Sequence, residues 1–212
     1  MGKWLRTLGW TAVVIAVVLG VLRATVLRWW RIPTDDPTIG ASLAPSLSPG
    51  DFVLLWRGGV KFGDLARCAD PEAPGRYVVG RVMGEPNDEL EVGGDLVVVN
   101  GKRSVQEHSC NPNMVTVADP TSGAETQLHC GIEAIIGHKH KRGTSAASGT
   151  IPLRKVQVGQ GQFYLVSDNR AMPFDSRNYG GVPQASCKET VFFRLYGAKG
   201  FGDVDTRLSF IQ

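Results

Sequence analysis

The sequence predicts a mainly β protein preceded by one N-terminal membrane-spanning helix. Three observations support this fold class. A long apolar run occurs once, near the N-terminus. The rest of the chain keeps no 3.6-residue apolar period, but it contains many apolar runs of strand length. Its 26 glycines and 12 prolines supply the frequent turns that short strands need.

The apolar run extends from Leu8 to Leu27 and carries one charge, Arg23. As a helix it would be roughly 30 Å long, about the thickness of a bilayer's hydrocarbon core. A cleaved signal peptide is the alternative, but the run is too long and no small-residue cleavage site follows it. We therefore expect residues 1–31 to be a retained anchor in the lipid bilayer and residues 32–212 to form the β-rich domain. Basic residues flank the run on both sides, so charge bias does not fix its orientation.

The strands are predicted from apolar runs bounded by glycine, proline or Asn-Gly. They are Asp51–Trp56, Gly63–Cys68, Tyr77–Met83, Glu89–Val92, Leu96–Val99, Phe163–Val166 and Thr190–Tyr196. Residues 104–150 are expected to be an insertion, made of a hairpin and then a flexible loop from His138 to Thr150. Phe52, Leu54 and Trp56 alternate along the first strand, and they belong either to the core or to a membrane-facing patch.

Charge and cysteine content narrow the function classes. The formal charge is +3 and the basic residues are scattered, so we expect no nucleic-acid partner. The four cysteines include no Cys-x-x-Cys pair, which argues against a metal site. In a domain outside the cytoplasm an even number of cysteines predicts disulfides. Cys110 and Cys130 bracket a hairpin pattern and are expected to pair, and Cys68 with Cys187 then follows by elimination.

A short segment after the anchor contains a candidate nucleophile, Ser42. It lies between a Gly-Ala pair and a proline-rich exit at Pro45 and Pro49. Prolines and glycines on both sides predict a shaped loop rather than a helix. A serine hydroxyl is a weak nucleophile, so a catalytic Ser42 would need a general base.

Three blocks of sequence resemble the type I signal peptidases, which are membrane-bound serine endopeptidases that remove signal peptides. Ser42-Leu-Ala-Pro-Ser-Leu-Ser-Pro-Gly-Asp51 is similar to the family's Ser-Met-x-Pro-Thr-Leu followed by Gly-Asp. Arg81-Val-Met-Gly-Glu-Pro-Asn-Asp88 is similar to Lys-Arg-Val-Val-Gly-x-Pro-Gly-Asp. Residues 167–177 are similar to Gly-Asp-Asn-Arg-x-x-Ser-x-Asp-Ser-Arg. Order, spacing and the anchor agree over residues 1 to about 197.

The resemblance implies a domain of coiled antiparallel sheets on the outer face of the cytoplasmic membrane, held by a single span. It implies signal peptides of exported preproteins as substrates, bound extended along a strand edge, with no cofactor. It also implies a Ser/Lys dyad, in which Ser42 is the nucleophile and its backbone N–H contributes to the oxyanion hole. The lysine of such a dyad becomes a base because burial disfavours its charged form.

The other matched residues are expected to support the site rather than to move protons. Asp175 and Arg177 are expected to pair beneath it. The supporting residues are Arg81, Asp168, Asn169, Arg170, Asp175, Ser176 and Arg177.

The sequence departs from the family at the dyad itself. The lysine position is Gly80, and the serine that would hydrogen-bond the lysine falls at Pro173. Glycine has no side chain, and proline has neither a hydroxyl nor an N–H. Gly40 is a smaller departure, because some members carry there a hydroxyl that supports the oxyanion hole.

Two hypotheses about function therefore stay open. The first is a signal peptidase that uses Ser42 with an unconventional base. The second is a catalytically silent homologue that binds extended peptides or assists an active paralogue or the secretion machinery. The histidines at 108, 129, 138 and 140 are expected at the surface, and the lysines that could fold over the site are Lys61, Lys139 and Lys141.

Overall fold

A computed structural model describes residues 2–211. Met1, the first residue of the predicted anchor, and Gln212, the last residue of the predicted β-rich domain, lie outside the described residues. It confirms a mainly β fold with an N-terminal apolar helix. The helices are α1 (Gly2–Thr25), α2 (Pro37–Ser42) and α3 (Ser176–Tyr179). The strands are β1 (Leu27–Arg31), β2 (Phe52–Trp56), β3 (Leu65–Ala69), β4 (Tyr77–Gly84), β5 (Glu89–Val92), β6 (Val97–Val99), β7 (Lys102–Arg103), β8 (Val105–Ala118), β9 (Glu125–Ile135), β10 (His138–Thr144), β11 (Arg154–Gln157), β12 (Gln162–Val166), β13 (Val182–Pro183), β14 (Cys187–Tyr196) and β15 (Ser209–Phe210).

The N-terminal helix leads directly into the main sheet. Within α1, residues Arg6–Arg23 form a segment long and apolar enough to cross a membrane, and none of it is buried in the protein. The helix ends at Thr25 rather than at Leu27. Residues 27–31 pair antiparallel with β2, and Trp29 lies opposite Leu54. The aromatic and apolar residues that extend the hydrophobic run are good strand formers, which explains why the helix stops earlier than its hydrophobicity suggests.

The main sheet is made of antiparallel strand pairs around which the site is built. Its strands follow the order β1-β2-β14-β3-β4-β12-β13, and β15 adds to the edge of β14. One cluster of its buried side chains packs beneath α2 and comprises Ile32, Ile39, Leu43, Leu47, Val53, Leu55, Leu65, Val79 and Val191. The helix that ends in Ser42 is therefore held down by the core of this sheet.

The two faces of β2 differ. Val53 and Leu55 are fully buried, whereas Phe52 and Leu54 are half-buried and Trp56 is exposed. Phe52, Leu54 and Trp56 therefore lie on the outward face of the strand rather than deep in the core, and the membrane-facing alternative stays a prediction. Because opposite residues in a strand pair share a face, Trp29 joins the same surface beside Leu54.

The insertion differs from its prediction. Residues 138–144, expected to be part of a flexible loop, form β10 and pair antiparallel with β9. The turn between the two strands has positive φ at Ile136 (47°) and Gly137 (80°). Two consecutive positive φ values are typical of a tight hairpin turn. The Ile-Gly pair was the sequence signal for this hairpin turn. The basic residues that follow it suggested a loop, so the strand was not predicted.

The cysteines form the two predicted pairs. Cys68–Cys187, the sheet disulfide, joins β3 to β14, and Cys110–Cys130, the hairpin disulfide, joins β8 to β9. In each case the register of a strand pair brings the two residues close. The hairpin disulfide lies where the β8–β9 register shifts between Ser109 and Met114.

Candidate functional site

Ser42 ends a short helix instead of lying in the predicted loop. Asp36 caps α2, because its Oδ1 accepts the Ile39 N–H at 3.0 Å, and Pro37 occupies the first turn. An acidic cap followed by proline favours helix initiation, and the sequence analysis missed this signal. Ser42 is buried, and its Oγ donates to the Ile39 carbonyl at 3.0 Å.

Position 40 requires a glycine because the Pro49 ring approaches its backbone closely. A Cβ at this position would lie 2.5 Å from Pro49 Cγ. A hydroxyl residue at position 40 would therefore displace the proline exit of the Ser42 segment. The departure from family members with a hydroxyl there has a steric cause.

The third sequence block holds Ser42 through direct hydrogen bonds. The Asn169 side-chain amide donates to the Ala41 carbonyl at 2.8 Å, and its backbone N–H donates to the Ser42 carbonyl at 3.0 Å. Its Oδ1 accepts the N–H groups of Ala171 and Met172 at 3.0 Å each. One fully buried asparagine thus fixes both the end of α2 and the turn that follows it.

Arg81 and Asp168 join the second block to the third. The guanidinium Nε and Nη2 lie 3.1 and 2.7 Å from the two Asp168 oxygens, and Nη1 donates to the Gly63 carbonyl at 3.1 Å. Ser46 of the first block also donates to Asp168, at 2.5 Å. Burial would raise the pKa of Asp168, but Arg81, His140 and the Ser46 hydroxyl lower it overall. Asp168 is therefore a buried anion on which all three blocks converge.

Asp175 and Arg177 form a second buried pair. Arg177 Nε and Nη2 lie 2.9 and 2.6 Å from the Asp175 carboxylate, and Nη1 donates to the Gly93 carbonyl at 2.7 Å. Asp175 also accepts the Ser167 N–H, and the Ser176 hydroxyl accepts the Leu165 N–H at 2.9 Å. These contacts tie the third block to β12, beside the sheet rather than at the serine.

The insertion docks on the third block through Gly143. The Gly143 N–H donates to the Asp168 carbonyl at 2.9 Å, and its carbonyl accepts the Arg170 N–H at 2.8 Å. A Cβ at Gly143 would lie 3.1 Å from Pro45 Cδ and from a neighbouring Leu128 methyl. The end of β10 therefore packs against the Ser42 segment as well.

Arg170 reaches from the third block into the insertion and binds Glu133, a residue that the sequence analysis did not single out. Its Nη2 lies 2.5 Å from Glu133 Oε2, and both side chains are fully buried. Arg142 Nη1 lies 3.2 Å from the other Glu133 oxygen. Burial would raise the pKa of Glu133, but Arg170, His140 and Arg142 lower it well below its usual range. A Glu in a hairpin directly opposite His140 was the only sequence signal for this cluster.

The prediction that all four histidines lie at the surface is wrong for His140. This residue is buried, with Nε2 2.9 Å from Glu133 Oε2 at an angle that does not meet hydrogen-bond geometry. Burial lowers the pKa of His140, and Glu133 only partly opposes the shift. His140 lies opposite the buried Glu133, whereas its strand neighbours Lys139 and Lys141 point to the other side and are exposed. The other three histidines are exposed.

Gly80 has limited room for a side chain. It is buried on β4, and a Cβ there would lie 3.1 Å from Leu165 Cβ and 3.5 Å from the Val166 backbone. Pro173 is half-buried in the turn before Asp175. Within residues 2–211 the Ser42 hydroxyl has no hydrogen bond to an ionisable side chain. The structure thus supplies no replacement for the dyad lysine at hydrogen-bond distance.

The three lysines considered as replacements lie elsewhere. Lys61 is exposed, and Lys139 pairs with Glu107 at 2.7 Å. Lys141 lines a small cavity together with Ser46 and Arg194. Burial of its amine, and then Arg194, lower the pKa of Lys141. The hydroxyl residues that line this cavity are Ser46 and Ser209, and Ser42 is not among its lining residues.

A groove lies between the start of α2 and the start of β4. It has a volume of about 580 Å³ and is lined by Trp30, Pro33, Asp35, Asp36, Pro37, Ile39, Gly75, Arg76 and Tyr77. Residues 77–80 of β4 pair with β3, whereas β12 joins β4 only from Arg81 onward. The other edge of residues 77–80 therefore has no strand partner in the part of the chain that the structure describes.

Comparisons with known proteins agree with this arrangement. A family model described as signal peptidase, peptidase S26, matches residues 4–196. Signal peptidase I U of Bacillus subtilis is 26% identical over 80% of this chain and 79% of its own length. Signal peptidase I of Bacillus licheniformis is 26% identical over 86% of each chain. Mitochondrial inner membrane protease subunit 1 of Schizosaccharomyces pombe is 26% identical over 75% of this chain and 71% of its own.

Among solved structures, a signal peptidase I from Enterococcus faecalis is similar with a TM-score of 0.36 and 20% identity. The similar region covers 62% of this chain and 96% of the Enterococcus faecalis chain. The family model spans nearly the whole chain and includes all three sequence blocks. The chain belongs to the type I signal peptidase family, peptidase S26.

Proposed function

We propose that this protein is a membrane-anchored endopeptidase that removes signal peptides from exported preproteins, with Ser42 as the nucleophile. One observation carries the proposal: three blocks far apart in sequence converge on the buried Asp168, and the third of them also binds the Ser42 backbone. Asn169 binds the Ser42 carbonyl, and Asp168 binds both Arg81 and Ser46. Such a constellation positions a nucleophile on a rigid support.

The groove beside α2 supports an extended peptide as substrate. An unpaired strand edge can accept a peptide as an added strand, and neighbouring pockets then select side chains. Residues 77–80 offer such an edge, and Ile39 and Tyr77 line the groove beside it. We propose that the peptide lies along this edge, on the extracytoplasmic side of a single membrane span, with its scissile carbonyl at Ser42.

The test uses full-length protein in detergent and a preprotein with an Ala-x-Ala cleavage site. The wild type is expected to release a mature product whose N-terminus follows that site. Ser42→Ala should bind the preprotein and release none. Equal cleavage by both proteins would overturn Ser42 as the nucleophile.

A second candidate function is peptide binding without cleavage, and a specific observation favours it. The Ser42 hydroxyl donates to the Ile39 carbonyl, and Gly80 occupies the position of the dyad lysine. Loss of one member of a catalytic unit commonly costs several powers of ten in rate. Preprotein that co-purifies equally with wild type and Ser42→Ala, with no product from either, would support this function.

A further inference from the structure

A cavity rich in arginine lies where the membrane-spanning helix meets the sheet. It has a volume of about 460 Å³, and α1, β1 and the residue after β2 all contribute to it. Its lining residues are Gly20, Arg23, Leu27, Arg28, Trp29 and Arg57. We call it the arginine cavity. It does not touch Ser42 or the groove beside α2.

One carboxylate, Glu189, partly balances the charge of this cavity. Its Oε1 lies 3.3 Å from Arg28 Nη1 and 4.0 Å from Arg57 Nε. Its Oε2 is occupied by the buried Arg67. Within residues 2–211 no other carboxylate lies within 4.0 Å of the three lining arginines, so Arg28, Arg57 and Arg67 share one anion and Arg23 has none. The cavity keeps an excess of positive charge.

The guanidiniums of the arginine cavity remain available to a ligand. The Arg28 and Arg57 side chains are 56% and 40% exposed. Arg23 lies over the Trp29 ring, with its guanidinium carbon 4.0 Å from the ring centroid. A cation–π contact holds the guanidinium in place while leaving its N–H donors free.

The depth of the arginine cavity matches the headgroup layer of a bilayer. Arg23 ends the apolar segment that begins at Arg6, and this segment spans roughly 27 Å as a helix. That length is close to the hydrocarbon thickness of a membrane. Trp29, which is exposed, follows the helix where interfacial tryptophans are enriched. With α1 across a bilayer, Arg28 and Arg57 would lie beyond the hydrocarbon boundary, at the level of the lipid phosphates.

We propose that the arginine cavity binds the phosphodiester of an anionic phospholipid. Guanidinium groups bind phosphate oxygens in bidentate pairs, and three of them converge on a space large enough for a phosphate with its glycerol. A lipid bound there contacts α1, β1 and the end of β2 together. It would fix the angle of the sheet relative to the membrane, whether or not the protein cleaves peptides.

The test is titration of the full-length protein in detergent with short-chain phosphatidylglycerol, followed by native mass spectrometry. The wild type should bind phosphatidylglycerol at least tenfold more tightly than phosphatidylcholine of equal chain length. Arg23→Gln/Arg28→Gln/Arg57→Gln should weaken phosphatidylglycerol binding by about 10-fold to 100-fold, as expected for three basic residues near lipid phosphates. Unchanged binding by this variant would overturn the proposal.

The control replaces three basic residues that do not line the cavity, Lys102, Arg103 and Lys199, by glutamine. It has the same net charge as the test variant and should bind phosphatidylglycerol as the wild type does. If it weakens binding equally, the effect is one of net charge and the proposed site is wrong. Displacement of the lipid by millimolar inorganic phosphate would show a phosphate site without a lipid requirement, which also contradicts the proposal.

A folding defect is separated from a binding defect by the Arg28→Gln/Arg57→Gln variant, which leaves α1 unchanged. Its circular dichroism spectrum should match that of the wild type, and its affinity for phosphatidylglycerol should still fall by at least fivefold. If this folded variant bound phosphatidylglycerol as tightly as the wild type does, Arg28 and Arg57 would not be ligands, and the proposed site would be wrong.

Discussion

Asp168→Asn is expected to destabilise the protein strongly, although the substitution barely changes shape. The carboxylate is fully buried and accepts hydrogen bonds from Arg81 Nε, Arg81 Nη2 and Ser46 Oγ. The asparagine leaves Arg81, itself only 2% exposed, without a counter-charge. Removing one partner of a buried ion pair costs about 3–5 kcal/mol. We expect a loss of that size in the free energy of unfolding.

The assay is urea unfolding of the full-length protein in detergent, followed by circular dichroism of the β signal. Ser46→Ala removes one hydrogen bond to the same charge and should cost about 1.5–3 kcal/mol. Asp35→Asn changes an exposed aspartate and should stay within about 0.5 kcal/mol of wild type. An Asp168→Asn protein within about 1 kcal/mol of wild type would refute the convergence of the three blocks on this anion.

Two further predictions concern the insertion and the disulfides. Burial lowers the pKa of His140, so the unfolded chain binds its proton more readily. The stability that neutral His140 contributes is complete above about pH 6.5 and falls as the pH drops through the folded-state pKa. His140→Gln should therefore lose less stability than wild type between pH 7 and pH 5, and an unchanged slope would contradict the assignment. Replacing the sheet disulfide by two serines should cost about 5 kcal/mol and replacing the hairpin disulfide about 3, because they close loops of 119 and 20 residues; the reverse order in urea unfolding would contradict this loop-entropy argument.

Much of the main sheet was predictable because its strands carry strong local signals. β2, β4 and β12 follow from apolar runs bounded by glycine or proline. Both disulfides followed from the hairpin pattern and the even cysteine count. These features depend on neighbouring residues, so one sequence suffices to find them.

The parts that were missed depend on contacts between distant residues or on competing signals. At α2, the prolines suggested a loop, but the Asp36 cap and the packing of Ile39 and Leu43 on the sheet core stabilise a short helix. At β10, basic side chains suggested a mobile surface, yet pairing with β9 buries His140. The burial of Glu133 follows from Arg170, which lies 37 residues away, and no local pattern encodes that contact.

We propose that the site around Ser42 is a peptidase site that lacks one amine. The most direct test compares preprotein cleavage by Gly80→Lys/Pro173→Ser and Gly80→Ala/Pro173→Ser. Both variants add a Cβ that must fit 3.1 Å from Leu165 Cβ, so they share this steric cost, and the lysine variant adds the aliphatic stem that carries the amine. General-base catalysis contributes about 10²–10⁴-fold; we predict a gain of at least about 100-fold for the lysine variant, abolished by adding Ser42→Ala. Equal rates for the two folded variants would contradict the claim.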